Sequence, residues 1–492
     1  MAAAIAALYL VSRLWFVGRF PYFSDEGQFA TYTQQAAHSL HQLFVSEGGS
    51  PELPLFTWLG IPWVKLGFNP LVAVRIVSVI SGLLTVGVVG LLGHRLGGTA
   101  VGLVAAMLCV LLPFFVVHDG IGIYEPLVTL IMASALYAQI ELARHPSLRW
   151  GALLGLVLAA GTLTKANTEP ALVLIPVSLL CLDWSAVGRR RRVGTWLMAV
   201  AIAAVLVLGA EILLRSSHYW SQGLLLRKLG IYPARTVGQV LADPFNPAAR
   251  QAWSVFRSAL VGYVTLPLIA LGGLGAAIAW RRRPRLTTVL VVWVLVPLAV
   301  AVLFAVHAYP RHVMYVLPGA VALMAYAAVQ MAGWVRGAMP IRRAAAVCAV
   351  AAAVVVAPAV VFDASVLAHP ASFRYPSSDY FQYVTGQPAG GVWPALVQTI
   401  RRRAIGRQVV ILTPQAEPFV LQLLLSSDPR YRVVSGESTL AASAQFAVDE
   451  TGNPFVDSRA AAVVTRGHFV RVRRYQRLDN GAVISLFERP PG

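Results

Sequence analysis

Charge is what this chain has least of. Only 12% of its 492 residues are charged and 57% are hydrophobic, whereas an ordinary soluble domain carries roughly 25% charged residues. That excludes an ordinary soluble globule, and also a disordered or collagen-like chain, which needs low hydrophobicity or periodic glycine. Cysteine is nearly missing: Cys109, Cys181 and Cys348 each lie inside an apolar run. They read as small buried hydrophobes, with neither a disulfide framework nor metal-ligand spacing. Lysine is rarer still in proportion, supplying only Lys65, Lys165 and Lys228 of 40 basic residues. Familiar catalytic signatures are missing too, with no Walker A sequence, Asp-x-Asp, His-x-x-x-His or nucleophile elbow. Gly273-Leu274-Gly275 lies within an apolar segment and reads as a packing surface, so a cytoplasmic nucleotide-sugar site lacks support.

What the chain has is long apolar runs. About eleven are long enough, or nearly so, to cross a ~30 Å hydrocarbon layer at ~1.5 Å per residue. They cover residues 1–19, 69–93, 98–117, 123–143, 149–164, 168–184, 194–214, 258–280, 286–306, 312–335 and 341–363. The expected fold is a multi-spanning α-helical membrane protein with a small C-terminal α/β domain. Arg13 interrupts the first run and no basic region precedes it, which argues against a cleaved signal peptide.

The net charge of +19 invites a nucleic-acid reading. The distribution argues against one, because the arginines cluster between apolar runs as in cytoplasmic loops. Arg95, then Arg144 and Arg149, Arg189 to Arg192, Arg281 to Arg283 with Arg285, and Arg336, Arg342 and Arg343 all fall on one side if the first segment ends outside. A cell-membrane protein with a cytoplasmic amino terminus is expected, its partners including membrane lipids and no nucleic acid. Residues 1–363 then form the transmembrane domain, with outward loops 20–68 and 215–257, and 364–492 an extracytoplasmic domain.

In the first outward loop Phe29, Tyr32, Ala36, Leu40, Leu43 and Phe44 form a stripe at helical spacing, predicting a helix in the interface plane. A second is expected over Pro54 to Gly67. In the tail, strands are expected at Gln408 to Thr413, Arg432 to Ser435, Ala461 to Thr465, Val470 to Arg474 and Ala482 to Phe487, with helices around 394–404 and 416–425.

Few acidic residues exist, so those at the outward face stand out. Asp25 and Glu26 follow the first segment; the bland reading is a helix start with Ser24 or Asp25 as cap. Glu125 lies in an apolar stretch, where an ionisable group is unfavourable unless paired or functional. Beside it, His118-Asp119 reads as a hydrogen-bonded turn ahead of a metal ligand. Lys165 sits in the turn Gly161-Thr162-Leu163-Thr164-Lys165-Ala166-Asn167. It could pair with Glu169 four residues on, or serve as a point charge for a phosphate. Arg311 and His312 stand at the outward end of the tenth segment, and Arg215, Arg227, Lys228 and Arg235 make the second long loop basic. Snorkelling is the bland reading for each; together they suggest an anionic ligand. Asp119, Glu52, Lys65 and Lys228 are accessory candidates.

The order of these pieces resembles the GT-C class of membrane glycosyltransferases, in particular the protein O-mannosyltransferase and aminoarabinose-transferase-like group. The resemblance runs through Phe23-Ser24-Asp25-Glu26-Gly27-Gln28, Pro54-Leu55-Phe56, Tyr124-Glu125-Pro126-Leu127, Leu163-Thr164-Lys165, and Arg311-His312 followed by Tyr315 and Leu317-Pro318. It covers roughly the first 340 residues. Glu52 and Leu53 stand where many relatives carry a basic residue and a proline, and Glu125 stands where aspartate is commoner. These departures bear on donor specificity more than on reaction class.

The resemblance implies transfer of a sugar from a polyprenyl-phosphate carrier to an acceptor hydroxyl on a protein, lipid or glycan, on the extracytoplasmic face. It implies Asp25 as base, Glu26 orienting the acceptor or a metal, Glu125 in the catalytic set, and Lys165 with Arg311 and His312 holding the donor phosphate. Members of the group differ in metal use, so a divalent metal stays open and no other cofactor is implied. A ligase or polymerase of lipid-linked glycans is the nearest alternative. A transporter would predict inverted repeats and mid-membrane acids, and the sequence displays neither.

Overall fold

The computed structural model describes residues 1–49, 53–184, 188–223, 235–413, 419–426, 428–435, 438–450 and 458–490. Among them, six helices are long and apolar enough to cross a membrane: Pro70–Gly97, Glu125–Arg144, Arg189–Arg215, Pro284–Phe304, Pro310–Ala338 and Ile341–Ala368. A seventh is counted if Pro247–Val264 and Leu266–Arg282 form one span, bent by 95°. The bend falls at Thr265, whose φ of 72° is a left-handed conformation unfavourable for a β-branched residue. Shorter apolar helices cover Ala2–Val17, Thr99–Leu111 and Leu148–Thr162. The chain is a multi-pass membrane protein.

Ten of the eleven expected runs meet one of these helices. The exception is 168–184, which folds as short pieces over Ala166–Thr168, Pro170–Val173 and Ile175–Cys181. Pro170 and Pro176 explain it: each lacks the amide hydrogen a continuous helix needs.

Small residues let the helices approach closely, as expected where lipid supplies no hydrophobic drive. Leu148–Thr162 lies against Arg189–Arg215, and a Cβ at Gly151 would come within 2.5 Å of the Ala199 carbonyl oxygen. Gly98, with φ 85°, turns Pro70–Gly97 back into Thr99–Leu111. Arg13 is fully buried and donates to Val110 O at 2.9 Å, so the charge that interrupts the first run ties that helix to Thr99–Leu111.

The first long polar loop, 20–68, forms helices Ser24–His38 and Leu55–Lys65. Phe29, Tyr32 and Ala36 are buried as the stripe requires, but the helix stops at His38 and Leu40 is left 82% exposed. Leu53 and Leu55 donate backbone hydrogen bonds to Thr164 and Leu163, both at 2.9 Å. That stitches the approach to the second helix onto the turn bearing Lys165.

The tail holds a five-stranded sheet in the order β2-β1-β3-β5-β4, with β1 Val409–Leu412, β2 Tyr431–Val434, β3 Phe446–Glu450, β4 Val470–Gln476 and β5 Val483–Glu488. Strand β1 runs parallel to β2 and β3, while β5 is antiparallel to β3 and β4. The strand expected at 461–465 is instead part of helix Ser458–Arg466, and β3 was not expected. The division at 363/364 falls inside helix Ile341–Ala368. Tyr375, Tyr383 and Val384 belong to the core of the membrane part, and the core around the sheet begins at Trp393.

Candidate active site

Four charged side chains converge from four segments. Asp25 lies in the first turn of Ser24–His38, whose N-cap is Phe23 with no side-chain capping bond, so neither Ser24 nor Asp25 serves as the cap. Glu125 is the first residue of Glu125–Arg144. Phe29, Phe56 and Tyr124 hold that end in place by ring packing at 4.5–6.1 Å, and the Tyr124 hydroxyl donates to Leu53 O at 3.0 Å. Lys165 directly precedes the short 3-10 turn Ala166–Thr168. Arg311 is the second residue of the 3-10 stretch Pro310–Val316, which leads into helix Leu317–Ala338.

The contacts form a chain. Lys165 Nζ donates to Glu125 Oε1 at 2.9 Å. Arg311 Nε stands 3.7 Å from the same oxygen, and Arg311 Nη2 donates to Asp25 Oδ2 at 2.7 Å. His312 Nε2 is 4.0 Å from Glu125 Oε1. Arg311 also packs over the rings of Tyr309 and Phe23, at 4.6 and 5.4 Å. Glu125, Lys165 and Arg311 are buried, whereas the Asp25 side chain is 34% exposed. Two carboxylates thus alternate with two fixed cations, and one carboxylate faces the open side.

Glu26 is engaged elsewhere. It is fully buried, receives two hydrogen bonds of 2.8 Å from Arg75, and accepts the Gly122 amide at 2.6 Å. Arg75 in turn donates to Val17 O and Pro21 O. With both oxygens occupied, Glu26 fixes the lead-in to Asp25 to the turn before Glu125.

The remaining candidates separate from this group. Asp119 is buried beside Arg13 at 3.8 Å and accepts from the Tyr9 hydroxyl at 3.0 Å. His118 Nδ1 donates to Phe114 O at 2.8 Å, and its Nε2 lies 3.2 Å from Asp379. Lys65 is exposed at the end of Leu55–Lys65 and takes no part in the network. Glu52, Arg227 and Lys228 lie outside the described residues. Among the described residues no group of three or more His, Cys, Asp or Glu is arranged to hold a metal ion.

Two contributors escaped sequence reading. Arg75 had a usable signal, as a guanidinium in an apolar run away from the arginine clusters. Gln382, which accepts a hydrogen bond from Arg311 Nη1, had none.

Residues 50–212, which include Glu125 and Lys165, match the family described as dolichyl-phosphate-mannose-protein mannosyltransferase. Comparison with curated proteins gives no match. Among solved structures, ArnT from Cupriavidus metallidurans bound to undecaprenyl phosphate superposes with a TM-score of 0.61 at 16% identity, over 98% of this chain and 97% of that one. Its apo form gives 0.62 at the same identity and coverage. This chain has the fold of the GT-C membrane glycosyltransferases. The oligosaccharyltransferase AglB from Archaeoglobus fulgidus, in complex with an inhibitory peptide and a dolichol-phosphate, superposes at 0.55 and 10% identity, over 90% of this chain and 69% of that one. The GT-C likeness to ArnT therefore extends through the tail as well as the helices.

Proposed function

We propose that the chain is a membrane glycosyltransferase that moves a hexosyl or pentosyl unit from a polyprenyl-phosphate carrier to an acceptor hydroxyl, on the extracytoplasmic face and with inversion. The supporting observation is the alternation Asp25, Arg311, Glu125, Lys165, in which two buried cations flank the buried Glu125 and one of them, Arg311, also holds the part-exposed Asp25. Asp25 takes the acceptor's hydroxyl proton as its oxygen bonds to the anomeric carbon. The bond from that carbon to the phosphate oxygen breaks, and its electron pair leaves with the polyprenyl phosphate. Lys165 and Arg311 stabilise the charge gathering there. An arriving phosphate competes with Asp25 for Arg311, which would release the carboxylate as a base when the donor is bound. Glu125 holds the two cations at a fixed separation, and Glu26 positions the segment that carries Asp25.

The test is Asp25→Asn in purified protein supplied with a polyprenyl-phosphate sugar. Transfer should be lost while undecaprenyl phosphate still binds. Unaltered turnover would remove Asp25 from the proton transfer. The likeness to AglB supports a second reading, a ligase of lipid-linked oligosaccharides, and the size of the glycan accepted as donor separates the two.

A further inference from the structure

Arg311 has a second holder that comes from beyond the last membrane helix. After Ile341–Ala368 the chain folds back over the site and makes a wide turn of π geometry at Phe381–Thr385. In this turn, buried Gln382 turns its amide oxygen to Arg311 Nη1. The guanidinium therefore has its Nη2 on Asp25 and its Nη1 on Gln382. Its plane is set by one charged and one neutral acceptor.

The turn is itself pinned in three places. Asp379, three residues before Gln382, is fully buried, accepts from the Tyr263 hydroxyl at 2.6 Å and faces His118 Nε2 at 3.2 Å. Tyr383 packs edge-on against Phe20, Phe23 and Tyr375 at 5.1–5.4 Å. Ser24 N donates to Pro388 O at 3.0 Å and Gly390 N to Tyr22 O at 2.7 Å. The same stretch of backbone thus bears on both Arg311 and the approach to Asp25.

We propose that Gln382 is a positioning residue, which fixes the Arg311 guanidinium toward the leaving phosphate, and that Asp379, locked by the Tyr263 hydroxyl, anchors its turn. This rests on the reading that Arg311 faces the donor phosphate. An amide suits the task because it accepts from a guanidinium without adding negative charge beside an anionic ligand. Leucine at the same position keeps the volume and removes the acceptor.

The experiment titrates undecaprenyl phosphate against the full-length chain in detergent, by native mass spectrometry, for wild type, Gln382→Leu, Arg311→Ala and the double variant, each checked by its melting midpoint. Gln382→Leu should weaken binding on the order of tenfold, one decade of affinity, and should raise the donor KM more than it lowers kcat. In the Arg311→Ala background it should add nothing, because its effect passes through Arg311. An equal loss in both backgrounds, or wild-type binding by Gln382→Leu, would overturn the proposal. Should Gln382→Leu fail to fold, Gln382→Asn withdraws the amide by one methylene and is read the same way. Failure of the wild type itself to bind the lipid phosphate is a separate outcome: it overturns the donor reading and this inference with it.

Discussion

Lys165 and Glu125 make a pair whose two possible roles can be pulled apart. Their side chains are 9% and 5% exposed and meet at 2.9 Å. Removing one partner of such a pair leaves a buried charge uncompensated, at a cost of about 3–5 kcal/mol, whereas replacing both with neutral groups of similar shape is often nearly neutral. Arg311, at 3.7 Å from the same carboxylate oxygen, stays behind in Lys165→Met, so the loss of stability should fall toward the lower end. Turnover follows a different rule. A charge-assisted hydrogen bond to the leaving phosphate is worth roughly 1.5–3 kcal/mol, which at ~1.4 kcal/mol per decade lowers the rate by a factor of about 10–100.

Lys165→Met should therefore lower both melting midpoint and turnover. Adding Glu125→Gln should restore the midpoint and leave turnover depressed. Glu125→Gln alone should be the milder variant in turnover, since it leaves both cations available to the phosphate, while its midpoint should fall because Lys165 loses its partner. Melting by intrinsic fluorescence and transfer from a polyprenyl-phosphate sugar supply the two readouts. If stability and turnover recover together in the double variant, lysine serves only to neutralise Glu125, and its part in stabilising the leaving group is refuted.

The sequence exposed this pair unequally. Glu125 and Lys165 were conspicuous because a lone acid in an apolar run and one of three lysines in an arginine-rich chain both demand an account. Their pairing with each other was hidden, since they are 40 residues apart and helical spacing pointed Lys165 to Glu169. Glu26 shows the opposite error: its adjacency to Asp25 suggested a shared task, yet successive residues on a helix point about 100° apart, so one faces the site and the other Arg75. Gln382 was invisible because an uncharged amide in an aperiodic stretch carries no pattern. In the tail, the apolar run 461–465 was too short to tell strand from helix by periodicity. Strand β3, ending in Asp449 and Glu450, was hidden by residues that strands disfavour. The proline-broken run at 168–184 failed for a reason that was legible and under-weighted, hydropathy being blind to a missing amide hydrogen.

Three further expectations follow from single contacts. Glu26→Gln breaks a buried, two-pronged pair with Arg75 and should reduce folded yield and melting midpoint by an amount corresponding to about 3–5 kcal/mol; an unchanged midpoint would return Glu26 to the list of groups that touch the acceptor. Arg477→Ala should loosen the tail from the site, because Arg477 is buried against Glu450 at 2.7 Å and donates to Ala389 O and Gln387 O, in the stretch that pairs with Tyr22 and Ser24. Limited proteolysis should accelerate between the helices and the sheet, and equal cleavage rates would count against that coupling. The last expectation concerns sidedness. Glu125 and Arg144 stand at opposite ends of one helix, as do Arg311 and Arg336 of another, separations of about 30 and about 40 Å at ~1.5 Å per residue. The carboxylate and guanidinium of the site therefore lie across the membrane from the arginine clusters, whichever way the chain inserts. Clustered arginines remain on the cytoplasmic side during insertion, so the site should face outward. A reporter active only outside the cytoplasm should be active when fused at residue 492 and silent when fused near Arg190. The reverse pattern would put the site on the cytoplasmic face, where the argument for an outward-facing lipid-linked donor no longer holds.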